Sequence, residues 1–164
     1  MPGEPTKLMV LPRSENQTPG TERSGMVGGI LGLNLDTTRG AIIQSLLEAM
    51  AYFFAVGRDT LEQTGMRVER CRATGGGARS AVWLQLSADV LGVPIERTRF
   101  THPAALGAAM IAGVGAGTYG SYAEATRAQV KIDHVFAPNE QRHELYEKKV
   151  GEYKRLRQLL AKKS

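Results

Sequence analysis

Large apolar side chains return every three or four positions between residues 42 and 61, as Ile42, Ile43, Leu46, Leu47, Met50, Phe53, Phe54 and Leu61. That spacing places them on one face of a helix. Asp36, Thr37 and Thr38, just ahead of the run, offer short oxygen side chains to the first free backbone N–H groups. Gly65, just behind it, suits a left-handed cap. The pattern predicts a long amphipathic helix. A second helix is predicted from Ser80 to Gly92, burying Trp83, Leu86, Val90 and Leu91. Between the two, Arg67–Thr74 reads as a strand broken by Gly75-Gly76-Gly77. Val93–Thr98 is partly β-branched with Pro94 near its start, which predicts a further strand in a position suited to a sheet edge.

The opening, residues 1–26, is rich in Pro, Gly, Ser and Thr around one short apolar run, Leu8–Leu11. It predicts loop, a brief strand and more loop. Met26–Leu35 alternates glycine with aliphatic residues and predicts an extended lead into the long helix. After the second strand, Ala104–Ala112 predicts a helix of small residues able to pack closely on a neighbouring backbone. Residues 121–129 predict a short helix and 130–137 an irregular or extended link. Pro138 is placed for the first turn of a last helix running towards Lys162, with Tyr146, Val150, Tyr153, Leu156 and Leu160 as its apolar stripe. Helix, strand, helix, strand, helix in order predicts an α/β fold with mostly parallel strands flanked by helices. The expected division is residues 1–35 as loop and short extended segments and 36–164 as one lobe.

At 164 residues and 42% hydrophobic, the chain has enough apolar side chain for a single core. No apolar run looks long and uninterrupted enough for a bilayer, and the start MPGEPTKLMV lacks the layout of a signal peptide. A cytoplasmic protein without a membrane partner is expected. Cys71, the lone cysteine, reads as a small core residue on a strand. Of the 21 Lys and Arg, seven lie in residues 148–164, opposed there by Glu152 alone. Charge gathered on one terminal helix reads as a solvated helix end, so no nucleic-acid partner is expected.

The segment with chemical content is Ala73-Thr74-Gly75-Gly76-Gly77-Ala78-Arg79-Ser80. Three residues without side chains join a strand end to a helix start, so a ligand can touch the backbone there. Free N–H groups at such a helix start favour an anion, and a loop without Cβ atoms also accepts a flat ring. A tight strand-to-helix turn with no ligand explains the same residues. No Gly-Lys-Ser/Thr follows, so this is not a P-loop, and the dinucleotide spacing is absent.

Three segments together resemble one family. The run ATGGGARSAVWLQLSADVLGVPIE is similar to the signature of the C-terminal lobe of the FGGY carbohydrate kinases, which include xylulose, gluconate, glycerol, ribulose and fuculose kinases. Upstream, GLNLDTTRGAIIQSLLEAMAY resembles that family's Gly-Leu-x-x-x-x-Thr-Arg stretch and long helix. Downstream, AALGAAMIAGVGAG resembles its Ala-Leu-Gly-Ala-Ala helix. The resemblance covers about Leu8 to Leu160. It implies part of an actin-like, ribonuclease-H-like lobe in which the glycine turn faces the adenosine of ATP. Gly75, Gly76, Gly77, Ala78 and Ser80 are the implied nucleotide-binding residues, with Gly76 and Gly77 against adenine or ribose and Ser80 towards the base.

The match has departures. The family often carries Glu close to the start of the Ala-Leu-Gly-Ala-Ala run, where this chain reads Thr101-His102-Pro103-Ala104. His102 is either a ligand contact or an exposed loop histidine. The family's sugar-binding residues and catalytic Asp belong to its N-terminal lobe, and its Gly-Thr phosphate hairpin opens the C-terminal lobe; neither is present in this sequence. Asp36 reads as a cap, while Asp89 and Glu48 read as helix residues without credible neighbours, so no catalytic or metal-binding residue is expected. The resemblance thus implies the C-terminal, ATP-binding portion of a carbohydrate kinase, with Mg²⁺ held mainly by parts outside this chain and the sugar or polyol bound through an N-terminal lobe. A non-catalytic nucleotide-binding or regulatory module is the alternative. Self-association is also expected, because the strand around Arg67–Thr74 would have an open edge.

Overall fold

Thr38 starts the long helix: its Oγ1 accepts from Ala41 N at 3.1 Å. In the computed structural model, which describes residues 4–12, 28–100 and 102–161, helix α1 spans Arg39–Gln63 and is closed by Thr64. Gly65 follows in the left-handed region, at φ +85°. The cap is therefore Thr38 alone. Asp36 lies in the preceding turn, where its N–H donates to Asn34 Oδ1 at 3.0 Å. The expected loop over residues 13–27, which includes Met26, lies outside the described residues, as do Thr101 and the run to Lys162.

Strands β1 (Met9–Pro12) and β2 (Gly28–Leu31) form an antiparallel pair. A second sheet has the order β3 (Cys71–Ala73), β4 (Ile95–Thr98), β5 (Ile132–Phe136). β3 and β4 are parallel, with Cys71 opposite Ile95, and β4 and β5 are antiparallel, with Ile95 opposite Phe136. Between β3 and β4 run a 3₁₀ turn, Gly76–Arg79, and α2 (Ala81–Leu91). Between β4 and β5 run α3 (Pro103–Gly115) and α4 (Tyr122–Gln129), and α5 (Glu140–Ala161) ends the described chain.

Three expectations about this sheet are corrected. The strand predicted over Arg67–Thr74 is three residues long. β4 is central rather than at an edge, because the segment expected as an irregular or extended link over 130–137 is extended and pairs with it as β5. Pro138 precedes α5 instead of sitting in its first turn; Asn139 is the cap, accepting from Arg142 N at 3.0 Å through Oδ1.

The largest departure concerns α1. Its buried residues are Ser45, Glu48, Ala49, Ala51, Tyr52 and Ala55, while Ile43, Leu46, Met50, Phe53, Phe54 and Leu61 from the apolar stripe are all exposed. At 100° per residue these sets lie on roughly opposite faces. The inward face is built of small and hydrogen-bonding side chains, which permits close approach to β1, α2 and α5. By length and composition alone α1 also reaches the threshold of a bilayer span, with a window of mean hydropathy 1.4, contrary to expectation. Its inner face nevertheless holds a carboxylate and packs into the core of this fold.

That core joins Met9 and Leu11 of β1, Tyr52 and Ala55 of α1, Leu84, Leu86, Val90 and Leu91 of α2, Ile95, Phe136, and Tyr146, Val150 and Tyr153 of α5. Each large aliphatic or aromatic side chain so covered contributes about 1.5–3 kcal/mol. Gly92 ends α2 at φ +66°, where a Cβ would come within 2.5 Å of the His143 ring. Helix α3 packs on α4 but has no buried residue. At its Gly113 a Cβ would stand 2.9 Å from the Tyr119 ring.

Glu48 and Asp89 have the neighbours that the sequence did not disclose. Glu48, fully buried, accepts from Thr6 N at 3.0 Å and Thr6 Oγ1 at 2.6 Å. It also accepts from Gln44 Nε2 at 2.8 Å, Tyr146 OH at 3.3 Å and Tyr52 OH at 3.4 Å. Burial first, and then the Glu48 charge, push the ionisation of both tyrosines upward, so both hydroxyls remain donors. Asp89 pairs with Arg142 at 2.9 Å and accepts from Asn139 N at 2.8 Å and Gln85 Nε2 at 2.9 Å.

Replacing Glu48 by Leu strands several of these donors at once, each at a cost of about 1–3 kcal/mol. We expect Glu48→Leu to lower the unfolding free energy by roughly 3 kcal/mol or more, and Met50→Gln, on the opposite face, by less than about 1 kcal/mol. Urea denaturation followed by circular dichroism checks both. Equal losses would mean that the Met50 face is the packed one.

Candidate functional site

The glycine turn owes its shape to one residue. Gly75 sits at φ +79°, ψ −166°, a backbone region that a side chain essentially excludes. It follows β3 and turns the chain into the 3₁₀ segment, where Ala78 N donates to Gly75 O and Ser80 N to Gly77 O, both at 3.2 Å. No side chain caps this segment, so the first N–H groups, at Gly76 and Gly77, are left for solvent or a ligand.

The five expected binding residues take different positions. A Cβ built on Gly76 meets nothing within 4 Å, so this residue borders open space. Gly77 stands against Trp83: a Cβ there would be 3.6 Å from the indole nitrogen. Ala78 is buried in the core and offers a ligand its main chain at most. Ser80 caps α2, with Oγ accepting from Trp83 N at 3.2 Å. That bond orients the hydroxyl and leaves its proton free to donate. Gly76, Gly77 and Ser80 are exposed and Gly75 is half-buried, so the accessible rim runs from Gly76 to Gly77 with Ser80 beside it.

Trp83 is the neighbour the sequence reading misplaced in the core. It is half-buried, one helical turn beyond Ser80, with its ring 6.4 Å from that of Phe54. The i+3 spacing from the cap was the available signal, masked by the habit of assigning a lone tryptophan to the interior. Cys71 lies half-buried at the start of β3, and burial pushes its thiol pKa up, partly offset by the Arg58 charge. It is held protonated, in keeping with a packing role. His102 lies exposed ahead of α3, 5.9 Å from the Phe100 ring, and its side chain caps nothing.

Among the described residues, no group of three His, Cys, Asp or Glu is arranged to hold a metal ion. Asp89 and Glu48 are committed to the bonds given above. What the turn can do chemically is present N–H groups and flat peptide planes to a ligand.

Gly75→Ala forces a side chain into the φ +79° position, and we expect it to cost about 1–3 kcal/mol of stability. Gly76→Ala should be neutral within about 1 kcal/mol. Thermal melts of the two variants separate the residue that shapes the turn from the residue that borders it. Equal destabilisation by both would remove Gly76 as an open position.

Comparison with known proteins follows this geometry. Residues 4–116 match the C-terminal domain of the FGGY family of carbohydrate kinases. The chain is similar to a xylulose kinase of Staphylococcus epidermidis, 30% identical over 77% of this chain and 25% of the relative. It is also similar to a glycerol kinase of Gloeobacter violaceus, 40% identical over 71% of this chain and 23% of the relative. The crystal structure of a xylulose kinase from Rhodospirillum rubrum superposes with a TM-score of 0.78 at 30% identity, covering 98% of this chain and 32% of that one. The chain thus spans about a quarter of the length of the curated relatives it matches, and its small sheets and five helices are part of an actin-like ATPase lobe. With a match over most of its length and with the strand–glycine turn–helix unit in place, the chain belongs to the FGGY family of carbohydrate kinases and corresponds to part of the family's C-terminal domain.

Proposed function

We propose that the chain is the ATP-binding portion of an ATP-dependent kinase that phosphorylates a hydroxyl of a sugar or polyol. The observation that carries this reading is the glycine turn. Gly75 shapes it, Gly76 borders open space and the first N–H groups have no side-chain cap, in a chain of the FGGY family. The adenosine lies along Gly75–Gly77, with Ser80 able to donate to the base. ATP as co-substrate favours a cytoplasmic location.

Phosphoryl transfer needs an in-line acceptor hydroxyl, an orienting base and charge stabilisation around the phosphates. Glu48 and Asp89 do not fit Mg²⁺, because they are engaged by Thr6, two tyrosines, Gln44, Arg142, Gln85 and Asn139. In this reading the metal, the base and the sugar contacts belong to polypeptide outside this chain. The isolated chain therefore binds nucleotide weakly, transfers no phosphate and, through its exposed apolar surface, self-associates.

Titration calorimetry with ATP and ADP tests the first point. Gly76→Val should weaken binding at least tenfold while leaving the melting temperature nearly unchanged, because its side chain enters the ring's space and no protein atom's. Unchanged affinity in that variant would make the turn purely structural. A coupled assay over pentuloses, hexuloses and polyols tests the second. No turnover is expected from the chain alone, since loss of a general base by itself costs about a hundredfold or more, and turnover should appear when the remainder of a relative is added. Nucleotide binding that never yields transfer with any complement would favour a regulatory module.

A further inference from the structure

Glycine loses more conformational freedom on ordering than any other residue, and within the turn little offsets that loss at Gly76 and Gly77. The two backbone bonds of the 3₁₀ segment, Ala78 N to Gly75 O and Ser80 N to Gly77 O, are both 3.2 Å long, and no side chain caps it. A Cβ on Gly76 meets nothing within 4 Å. On the Cβ side of Gly77 the atoms within 4 Å, chain neighbours aside, are Nε1 and Cδ1 of Trp83, at 3.6 and 3.7 Å. The edge of the indole is therefore the side-chain surface on which this part of the turn rests.

Trp83 is itself held in three ways. Its main-chain N–H donates to Ser80 Oγ at 3.2 Å, and its ring packs against the core. Its ring also lies 6.4 Å from that of Phe54, tilted by 52°, a favourable arrangement for two aromatic rings. Phe54 in turn meets Phe53 edge-on at 6.1 Å. Phe54 is 47% exposed, so it supports the indole while adding little to the buried core. Because the bond to Ser80 uses the main chain of Trp83, replacing the indole leaves that capping donor in place.

We propose that Trp83 is a positioning residue for the nucleotide: its indole holds the Gly76–Gly77 main chain in the form that receives the adenosine, and Phe54 holds the indole. This inference rests on the reading of the turn as the ATP site. A rim already held in its bound form loses less freedom when the ligand arrives, and the gain appears as affinity. The indole meets Gly77 on its Cβ side, whereas the ligand takes the open space at Gly76 and the free N–H groups, so Trp83 acts through the main chain. A core residue of the same helix has no such route. Leu91, at the far end of α2, is 5% exposed and serves the packing of the fold.

The test is titration of the chain and its variants with ADP by calorimetry, beside thermal melts. Trp83→Ala should weaken ADP binding roughly tenfold, and Trp83→Phe, which keeps a flat ring, by about threefold or less. Leu91→Ala should lower the melting temperature at least as much as Trp83→Ala and leave the affinity for ADP unchanged. Phe54→Ala should leave the melt nearly unchanged and weaken ADP about threefold, which carries the test even where Trp83→Ala does not fold. Saturating ADP should also shift the emission of Trp83, the only tryptophan. Unchanged emission at saturation, unchanged affinity in both Trp83→Ala and Phe54→Ala, or an equal loss of affinity in Leu91→Ala would each overturn the proposal and leave Trp83 a packing residue. A loss in Trp83→Phe as large as in Trp83→Ala overturns it as well, because the indole N–H is then a direct ligand contact. A wild-type chain that binds no ADP sinks the nucleotide reading and this inference with it, whereas ADP binding that Trp83→Ala does not alter sinks the inference alone.

Discussion

The fold depends on one buried carboxylate. Glu48 collects donors from the lead-in to β1 through Thr6, from its own helix through Gln44 and Tyr52, and from α5 through Tyr146. No cation neutralises it in this network; its charge is met by oriented N–H and O–H groups, which makes each bond stronger than a neutral one and each loss more expensive. Because the three segments are far apart in sequence, the cluster acts as a fastener for the whole α1 side of the core. It also explains an inner face of Ala, Ser and Tyr: large aliphatic residues there would hold the helices too far apart for these bonds to form.

From this frame the glycine turn is positioned in a second step. Helix α2 is tied to α5 by Asp89, which takes Arg142, Gln85 and Asn139 N, and by His143, whose Nδ1 lies 2.9 Å from Asp89 O and whose ring closes over Gly92. These contacts hold the C-terminal end of α2, and Ser80 fixes its start by accepting from Trp83 N. The basic character of α5 is partly spent in this way. Arg142 serves Asp89, Lys154 pairs with Asp59 of α1, and Arg157 lies over the Tyr153 ring. Burial acts to raise the Asp59 pKa, but its bonds to Lys154 and Arg58 outweigh that and hold the carboxyl below its usual range.

What could be read from the sequence was whatever is local. The α2 stripe Leu86, Val90 and Leu91 with its Gly92 stop, the short helix over 121–129, the parallel pairing of the strands flanking α2 and the existence of the turn all follow from spacing within a dozen or so residues. Elements set by distant partners were not legible. The 130–137 segment is a strand because β4 offers it an edge, which places β4 at the centre of its sheet. Glu48 and Asp89 looked isolated because, besides Gln44, Tyr52 and Gln85 one helical turn away, they depend on partners as far off as Thr6 and Tyr146, 42 and 98 residues away, and Asn139, 50 residues away. The apolar stripe of α1 was legible as a stripe, but the side it faces was not. Hydropathy ranks Phe and Leu above Ala and Tyr but does not say which face meets this chain and which meets another.

That last point links the architecture to its chemistry. Helix α1 divides a face closed within the chain from one left exposed along its length. Its polar inner face is satisfied within the chain, whereas, among the described residues, β3 has one backbone edge without a strand partner and α2 a Ser87 hydroxyl without a hydrogen-bond partner. The glycine turn lies at the boundary: Gly76 borders open space, while Gly77 stands beside Trp83 and Ala78 is buried. Trp83 joins the two sides, because its indole lies 3.6 Å from where a Cβ on Gly77 would stand and its ring is 6.4 Å from that of Phe54 on the exposed face of α1.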